Sequence, residues 1–404
     1  MDQKKTCGRT FVPALRIQGL RDAATSEMIS KCEDLERRGI DYVALTVGEP
    51  DFDTPEYIRN ACKKALDEGR TRYIEDQGVL EFRQAICEKM ERDNGLHYTP
   101  DEVMVTTGVA MGMFIALLST LDPGDEVMIP DPVYITYPQI PLIAGAKIVT
   151  YDILEDNDYQ VDVDEIRSKI TDKTKVIVIV SPSNPTGGVL SRKSVEAVAE
   201  IAKEHDLLVI SDEIYDHFVY DDDTELVSIA SLPGMKERTL VLNGLSKSMA
   251  MTGWRVGWIA APKKMIDPMR RFAFYVTAGG TSFVQYAGIT ALREEDGSIE
   301  RMRQAFKERR DFLVDGINRL EHFSCKKPEG AFYIFVNIKK TDMTSKELVD
   351  LAADKYRLFT LPGTAFGSNG EGYIRLSYAK SMDVLKRAVE ILDEIDKDLT
   401  AAGV

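Results

Sequence analysis

Lys247 sits in the run NGLSKSMAMTGWRVGW, among glycine, serine and methionine and largely without acidic neighbours in sequence, with Arg255 eight residues further on. An amine desolvated in such a setting has a depressed pKa, and its neutral form is free for Schiff-base chemistry. A second run, LVISDEIY, ends an apolar stretch on Asp212 and places Tyr215 three positions later. A third, VSPSNPTGGV, carries a buried-type strand into a turn holding Asn184. Each has a plainer reading, as a solvated lysine, a helix-capping aspartate and a turn that needs proline, asparagine and glycine. In open α/β sheets, however, ligands sit beyond the carboxyl ends of the strands, which is where these polar groups fall.

The elements that would position them follow from the pattern between Thr54 and Gly297. Helical stretches such as Pro55 to Gly69 and Val79 to Asn94 are followed by short β-rich runs: Glu102 to Thr106, Glu126 to Ile129, Lys175 to Val180, Leu207 to Ser211, Thr239 to Leu242 and Val256 to Ala260. Several runs are apolar throughout, as strands covered by helices on both faces are, so the expected core is α/β with a mostly parallel sheet. From Ser298 the pattern changes. A periodic charged helix to Leu320 precedes an apolar run at Ala331 to Ile338, a helix near Thr344 to Asp354, a strand at Tyr373 to Ser377 and a closing amphipathic helix through Leu385, Val389, Leu392 and Ile395. The expected division is a large domain over residues 54–297 and a smaller discontinuous α+β domain built from residues 1–53 and 298–404, with a helix around Thr25 to Arg38.

Composition narrows the function. The 404 residues carry 66 acidic and 51 basic side chains, a net charge of −15 that repels nucleic-acid phosphates and anionic membranes. The start MDQKKTCGRTF lacks an apolar targeting core, and the most apolar runs are strand-sized, so no membrane span is expected. Cys7, Cys32, Cys62, Cys87 and Cys325 are odd in number and form no CxxC pair, and the four histidines are dispersed. Neither a disulfide framework nor a metal site is expected, and a reducing cytoplasm is the simplest location.

In order along the chain, GEPDFDTP, TRYIEDQGVLEFRQAI, SPSNPTGG, SDEIY, SKSMAMTGWRVGW, PEGAFY and PGTAFG with GYIRLSYA make the sequence resemble the fold-type I pyridoxal-phosphate aminotransferases of class I, in the aspartate and aromatic group. The resemblance spans nearly the whole chain and implies the following roles. Lys247 corresponds to the lysine that joins pyridoxal 5′-phosphate and moves the substrate's Cα proton. Asp212 corresponds to the carboxylate at the pyridine nitrogen, which it keeps protonated so that the ring acts as an electron sink. Asn184 and Tyr215 correspond to the pair at the 3′-oxygen, and Tyr134 in DPVYITY to the aromatic stacked on the ring. Arg255 and Ser246, with the backbone of Gly108, Val109 and Ala110 at a helix start, fall to the phosphate. Arg375 falls to the substrate α-carboxylate, with Gly48 and Asn184 beside it. Tyr73 corresponds to a tyrosine that reaches the neighbouring subunit's phosphate, implying a homodimer with shared active sites.

Two positions depart from the family pattern. Gly244 stands where many relatives have a phosphate-binding serine, and no counterpart is evident for the second arginine that some relatives use for a side-chain carboxylate. Ala110 stands where some aspartate-using relatives have a lysine. Because a buried carboxylate without a cation is costly, the expected donors are neutral, aromatic or aliphatic, with 2-oxoglutarate among the acceptors and with Tyr134, Ile17 and Met111 adding to an apolar pocket. The alternatives are an aspartate-preferring aminotransferase and a pyridoxal-phosphate lyase acting on C–S bonds, which starts from the same Cα carbanion; a non-enzymatic regulator on this scaffold is disfavoured by the presence of Lys247, Asp212 and Arg375. Trp254 and Trp258 read as packing residues, Met104 to Met113 as core, and the acidic Asp221 to Asp223 run as a solvated loop.

Overall fold

The computed structural model describes residues 11–21 and 24–403; Cys7 lies outside them. Twelve strands occur in chain order: β1 (Val43–Ala44), β2 (Val103–Thr106), β3 (Glu126–Asp131), β4 (Lys147–Asp152), β5 (Thr174–Val180), β6 (Leu208–Asp212), β7 (Thr239–Gly244), β8 (Gly257–Ala260), β9 (Tyr333–Asn337), β10 (Leu358–Phe359), β11 (Leu361–Pro362) and β12 (Tyr373–Ser377). Seven of them form one sheet in the order β2-β8-β7-β6-β5-β3-β4, parallel except for β8, which runs antiparallel to both β2 and β7. β2, β3, β7 and β8 are buried at every position, and β5 and β6 nearly so, with helices such as Val109–Thr120 and Arg192–Glu204 presenting apolar residues to the sheet. This is the α/β fold, with a mostly parallel sheet, that the apolar runs indicate.

β4 is absent from the sequence reading. It lies at the sheet edge, pairs only with β3 and has just one buried residue among KIVTYD, so it shows no apolar run. Strand order matters for the site. The parallel strands all end at one edge of the sheet, and because β8 is reversed, the residues leading into it, Arg255 included, stand at that same edge.

A second sheet, β11-β12-β9, is antiparallel, and β1 pairs with β10 across more than 300 residues of chain, with Val43 opposite Leu358. β12 carries Arg375 at its centre, opposite Phe335 on β9 and Leu361 on β11. The long helix Ser298–Ile317 and the closing helix Met382–Ala402 pack together, with Gly316 facing Val389, and bury Leu313, Ile317, Leu385 and Ala388 in the main hydrophobic core. Among the described residues no helix is long and apolar enough to cross a membrane. Asp221 corrects the solvated-loop expectation: it accepts hydrogen bonds from the fully buried Arg310 at 2.8 and 3.0 Å, while Asp222 and Asp223 stay exposed.

Candidate active site

A cavity of about 340 Å³ opens at the sheet edge where the parallel strands end. Gly48, Val109, Ala110, Tyr134, Asn184, Asp212, Tyr215, Ser246, Lys247, Arg255 and Arg375 all line it. Several of them arrive on segments that follow strands of the main sheet. β5 runs out into the turn with Asn184, β6 ends on Asp212, β7 leads through Gly244 to Lys247, and β2 leads through Gly108 into the helix Val109–Thr120. Gly108 does not itself line the cavity but borders it, with φ of +79°, and a Cβ there would stand 2.6 Å from Arg255 Nη2. As the first residue outside the helix, it offers no capping side chain, so the first N–H groups of the helix remain open toward the cavity. Tyr73 is not in this chain's cavity and is 95% exposed.

The Lys247 amine donates to the Gly48 carbonyl at 2.7 Å. Burial pushes its pKa down to about 8; the nearby Arg375 and Arg255 guanidinia press in the same direction, against the charges of Glu49 and Asp212. Asp212 is pushed the other way. Burial raises it to about 6, opposed by a hydrogen bond from the Tyr137 hydroxyl, another from the Ile214 N–H at 3.1 Å, and the charge of Lys247. Both groups are therefore held near the pH at which they exchange protons, which is the condition for acid–base work.

Arg375 is buried, with 3% exposure, and has no acidic partner among the described residues. Its Nη1 donates to Asn184 Oδ1 at 3.3 Å and its Nη2 to the Thr46 carbonyl, while Nε has no acceptor at all. Its ring neighbours are Tyr333 and Phe366, with centroids 4.6 and 5.0 Å from the guanidinium carbon. Burial lowers its pKa, which records an unfavourable position for a lone cation. Such a guanidinium lacks a carboxylate, and its planar fork matches one. The Asn184 amide nitrogen likewise has no partner among the described residues.

Several contributors escaped the sequence reading. Tyr137, three residues after Tyr134, holds Asp212; Tyr333, at the end of PEGAFY, meets Tyr215 hydroxyl to hydroxyl at 2.7 Å. Thr46 and Glu49 flank Gly48 on the cavity wall. The spacing DPVYITY and the terminal tyrosine of PEGAFY were the available signals. The apolar lining is also different from the expectation: Ile17 is 47% exposed and Met111 packs into the core, and neither lines the cavity, whereas Ile29, Val47 and Ile135 do. Gly244 has a structural reason, since a Cβ there would stand 2.8 Å from the Val256 carbonyl and 2.9 Å from Gly257 Cα, where β7 and β8 approach. A serine would not fit that spacing.

Comparison with known proteins places this geometry. A family model described as "Aminotransferase class I and II" matches residues 40–392. An aspartate aminotransferase of Pyrococcus abyssi is 42% identical over 94% of this chain and 98% of its own length, and aromatic-amino-acid aminotransferase 2 of Thermococcus litoralis is 41% identical over 92% and 95%. Among solved structures, an aspartate aminotransferase from Thermus thermophilus with maleate superposes with a TM-score of 0.91 at 36% identity, covering 96% of this chain and all of that one.

Proposed function

The chain belongs to the aminotransferase class I and II family and is an aminotransferase; from that premise we propose how its own residues carry the reaction and which substrates it takes. The observation that carries the proposal is the set of charged groups gathered in one cavity without full partners: a desolvated Lys247, a buried Asp212, and the guanidinia of Arg375 and Arg255, neither of which has an acidic partner among the described residues.

Pyridoxal 5′-phosphate fits that donor set. A phosphate dianion suits Arg255, Ser246 and the open N–H groups of Val109 and Ala110. A basic ring nitrogen suits Asp212, a phenolic oxygen suits Tyr215 and the free amide nitrogen of Asn184, and an aromatic face suits Tyr134. When bound, the cofactor supplies an electrophilic carbon for an amine and a protonated ring that accepts the electron pair of a Cα–H bond. Asp212 holds the proton at the ring nitrogen, where Tyr137 and the Ile214 N–H fix its carboxylate. Arg375 binds the α-carboxylate of the amino acid and so orients its Cα–H toward Lys247. The Lys247 amine, neutral above a pH of about 8, would take the Cα proton and hold it for return; the amino group would stay on the cofactor and water would supply the oxygen of the 2-oxo acid.

The preferred donors are neutral, aromatic or aliphatic, and 2-oxoglutarate serves as acceptor with one carboxylate on Arg375 and solvent reaching the distal one. Support comes from Ala110, Ile29, Val47 and Ile135 on the cavity wall, and from the absence of any lining cation, among the described residues, beyond Lys247, Arg255 and Arg375. The working unit is a homodimer in the cytoplasm, in which Tyr73 completes the phosphate subsite of the other subunit. Tyr73 shares its exposure with Phe274, Tyr275 and Val276, and Cys32, Cys62, Cys87 and Cys325 are unpaired. The test is a donor panel with 2-oxoglutarate. The kcat/KM ratio of phenylalanine, methionine or alanine to aspartate is expected above one for at least one of the three, and a ratio well below one for all three refutes the preference.

A further inference from the structure

Tyr333 links the two ends of the cavity. Its ring lies under the Arg375 guanidinium, 4.6 Å from centroid to carbon, and its hydroxyl is 2.7 Å from that of Tyr215. Gly48 faces it so closely that a Cβ there would stand 1.9 Å from the hydroxyl oxygen. The ring is thus clamped between a cation and a backbone, and the hydroxyl has one described partner, Tyr215. Both phenols stay protonated at neutral pH, because burial pushes Tyr333 up to about 12 and Tyr215 well above the ordinary tyrosine value. Two protonated phenols at this distance form one hydrogen bond, and one of them must donate. The positive charge of Arg375 makes Tyr333 the more acidic of the two and hence the better donor.

We propose that Tyr333 is a positioning residue that donates its hydroxyl proton to the Tyr215 oxygen, turning the Tyr215 O–H into the cavity as a strengthened donor to an anionic oxygen of the bound group. Chains of hydrogen bonds polarise one another, so Tyr215 donates more strongly when it is itself accepting. The contact also ties two subsites together, since the ring that holds Arg375 bears the hydroxyl that orients Tyr215. This rests on the reading above that Tyr215 meets the phenolic oxygen of pyridoxal 5′-phosphate.

The experiment is a spectroscopic pH titration of the visible absorbance of the pyridoxal 5′-phosphate-loaded protein, in the wild type, Tyr333→Phe and Tyr215→Phe. A donor at an anionic oxygen favours the deprotonated chromophore, so losing the relay raises the midpoint, by roughly half a pH unit or more in Tyr333→Phe and by more in Tyr215→Phe. Because phenylalanine keeps the aromatic face under Arg375, kcat falls while KM for the amino donor stays near the wild-type value. A midpoint that moves in Tyr215→Phe and not in Tyr333→Phe overturns the relay and leaves the Tyr215 assignment standing. A midpoint unmoved in both variants removes the Tyr215 assignment, and the relay with it. If Tyr333→Phe fails to fold, Tyr333→Leu carries the same test by deleting the hydroxyl, with a raised midpoint expected and an unchanged one overturning the relay.

Discussion

Arg310 and Arg375 are buried almost equally, at 0% and 3% exposure, and their surroundings are opposite. Arg310, on the helix Ser298–Ile317, bonds Asp221 at 2.8 and 3.0 Å, Asp311 at 2.9 Å and the Pro328 carbonyl at 2.9 Å. Burial alone would lower its pKa, and those carboxylates more than reverse that. Arg375 has an amide oxygen, a backbone carbonyl and an Nε with nothing to donate to. A buried cation without its carboxylate is a standing cost to the fold, since breaking such a pair costs several kcal/mol. The difference teaches where to look for function: Arg310 is paired by the chain, and Arg375 has no carboxylate among the described residues, which is why a ligand carboxylate is proposed there. Lys247 repeats the lesson against Lys89, a buried lysine whose amine is held by Asp216 and by Asn94 at 2.9 Å.

The largest expected effects come from exchanging the two arginines for methionine. Arg375→Met lowers kcat/KM on the order of 10² to 10³-fold, as truncating one partner of a buried charge pair does, and leaves thermal stability unchanged or raised. Arg310→Met does the reverse, keeping kcat/KM near the wild-type value while stability falls by about 3 kcal/mol, the low end for a buried pair because Asp221 is partly exposed and keeps Lys327. Chemical denaturation and steady-state kinetics on both variants check this. Parallel losses of stability in the two variants would break the comparison.

A smaller effect sharpens it through pH. A protonated amine is not a nucleophile, so the modification rate of Lys247 in the cofactor-free protein rises with pH and levels off near its pKa of about 8, while a solvated lysine continues to gain up to about 10.4. Rates of labelling by a neutral amine-reactive reagent, read by peptide mass spectrometry, give both curves. A Lys247 curve that rises as far as those of surface lysines would contradict its desolvation.

What was legible in the sequence is local. Apolar runs marked most strands of the main sheet, and the polar residues closing those runs, Asp212 above all, stand on the cavity wall. What was missed depends on distance along the chain. Tyr137 reaches Asp212 across 75 residues and Tyr333 reaches Tyr215 across 118, and neither contact leaves a periodic trace. Edge strand β4 lacked the apolar signature because its faces are largely uncovered, with one buried residue, whereas the other edge strand, β2, is buried throughout. The apolar wall was misassigned to Ile17 and Met111 because sequence proximity cannot tell which helix face turns toward a cavity. Asp221 looked like part of a solvated acidic run because its partner, Arg310, lies 89 residues away.

In the proposed function the cavity's uncompensated charges, Lys247 first among them, pair with pyridoxal 5′-phosphate and its substrate. Borohydride reduction of the cofactor-loaded protein, followed by peptide mapping, tests it most directly. A single pyridoxyl adduct is expected, on the peptide bearing Lys247, with loss of that adduct when an amino donor is added before reduction. An adduct on Lys89 or on a surface lysine, with Lys247 unmodified, would contradict it.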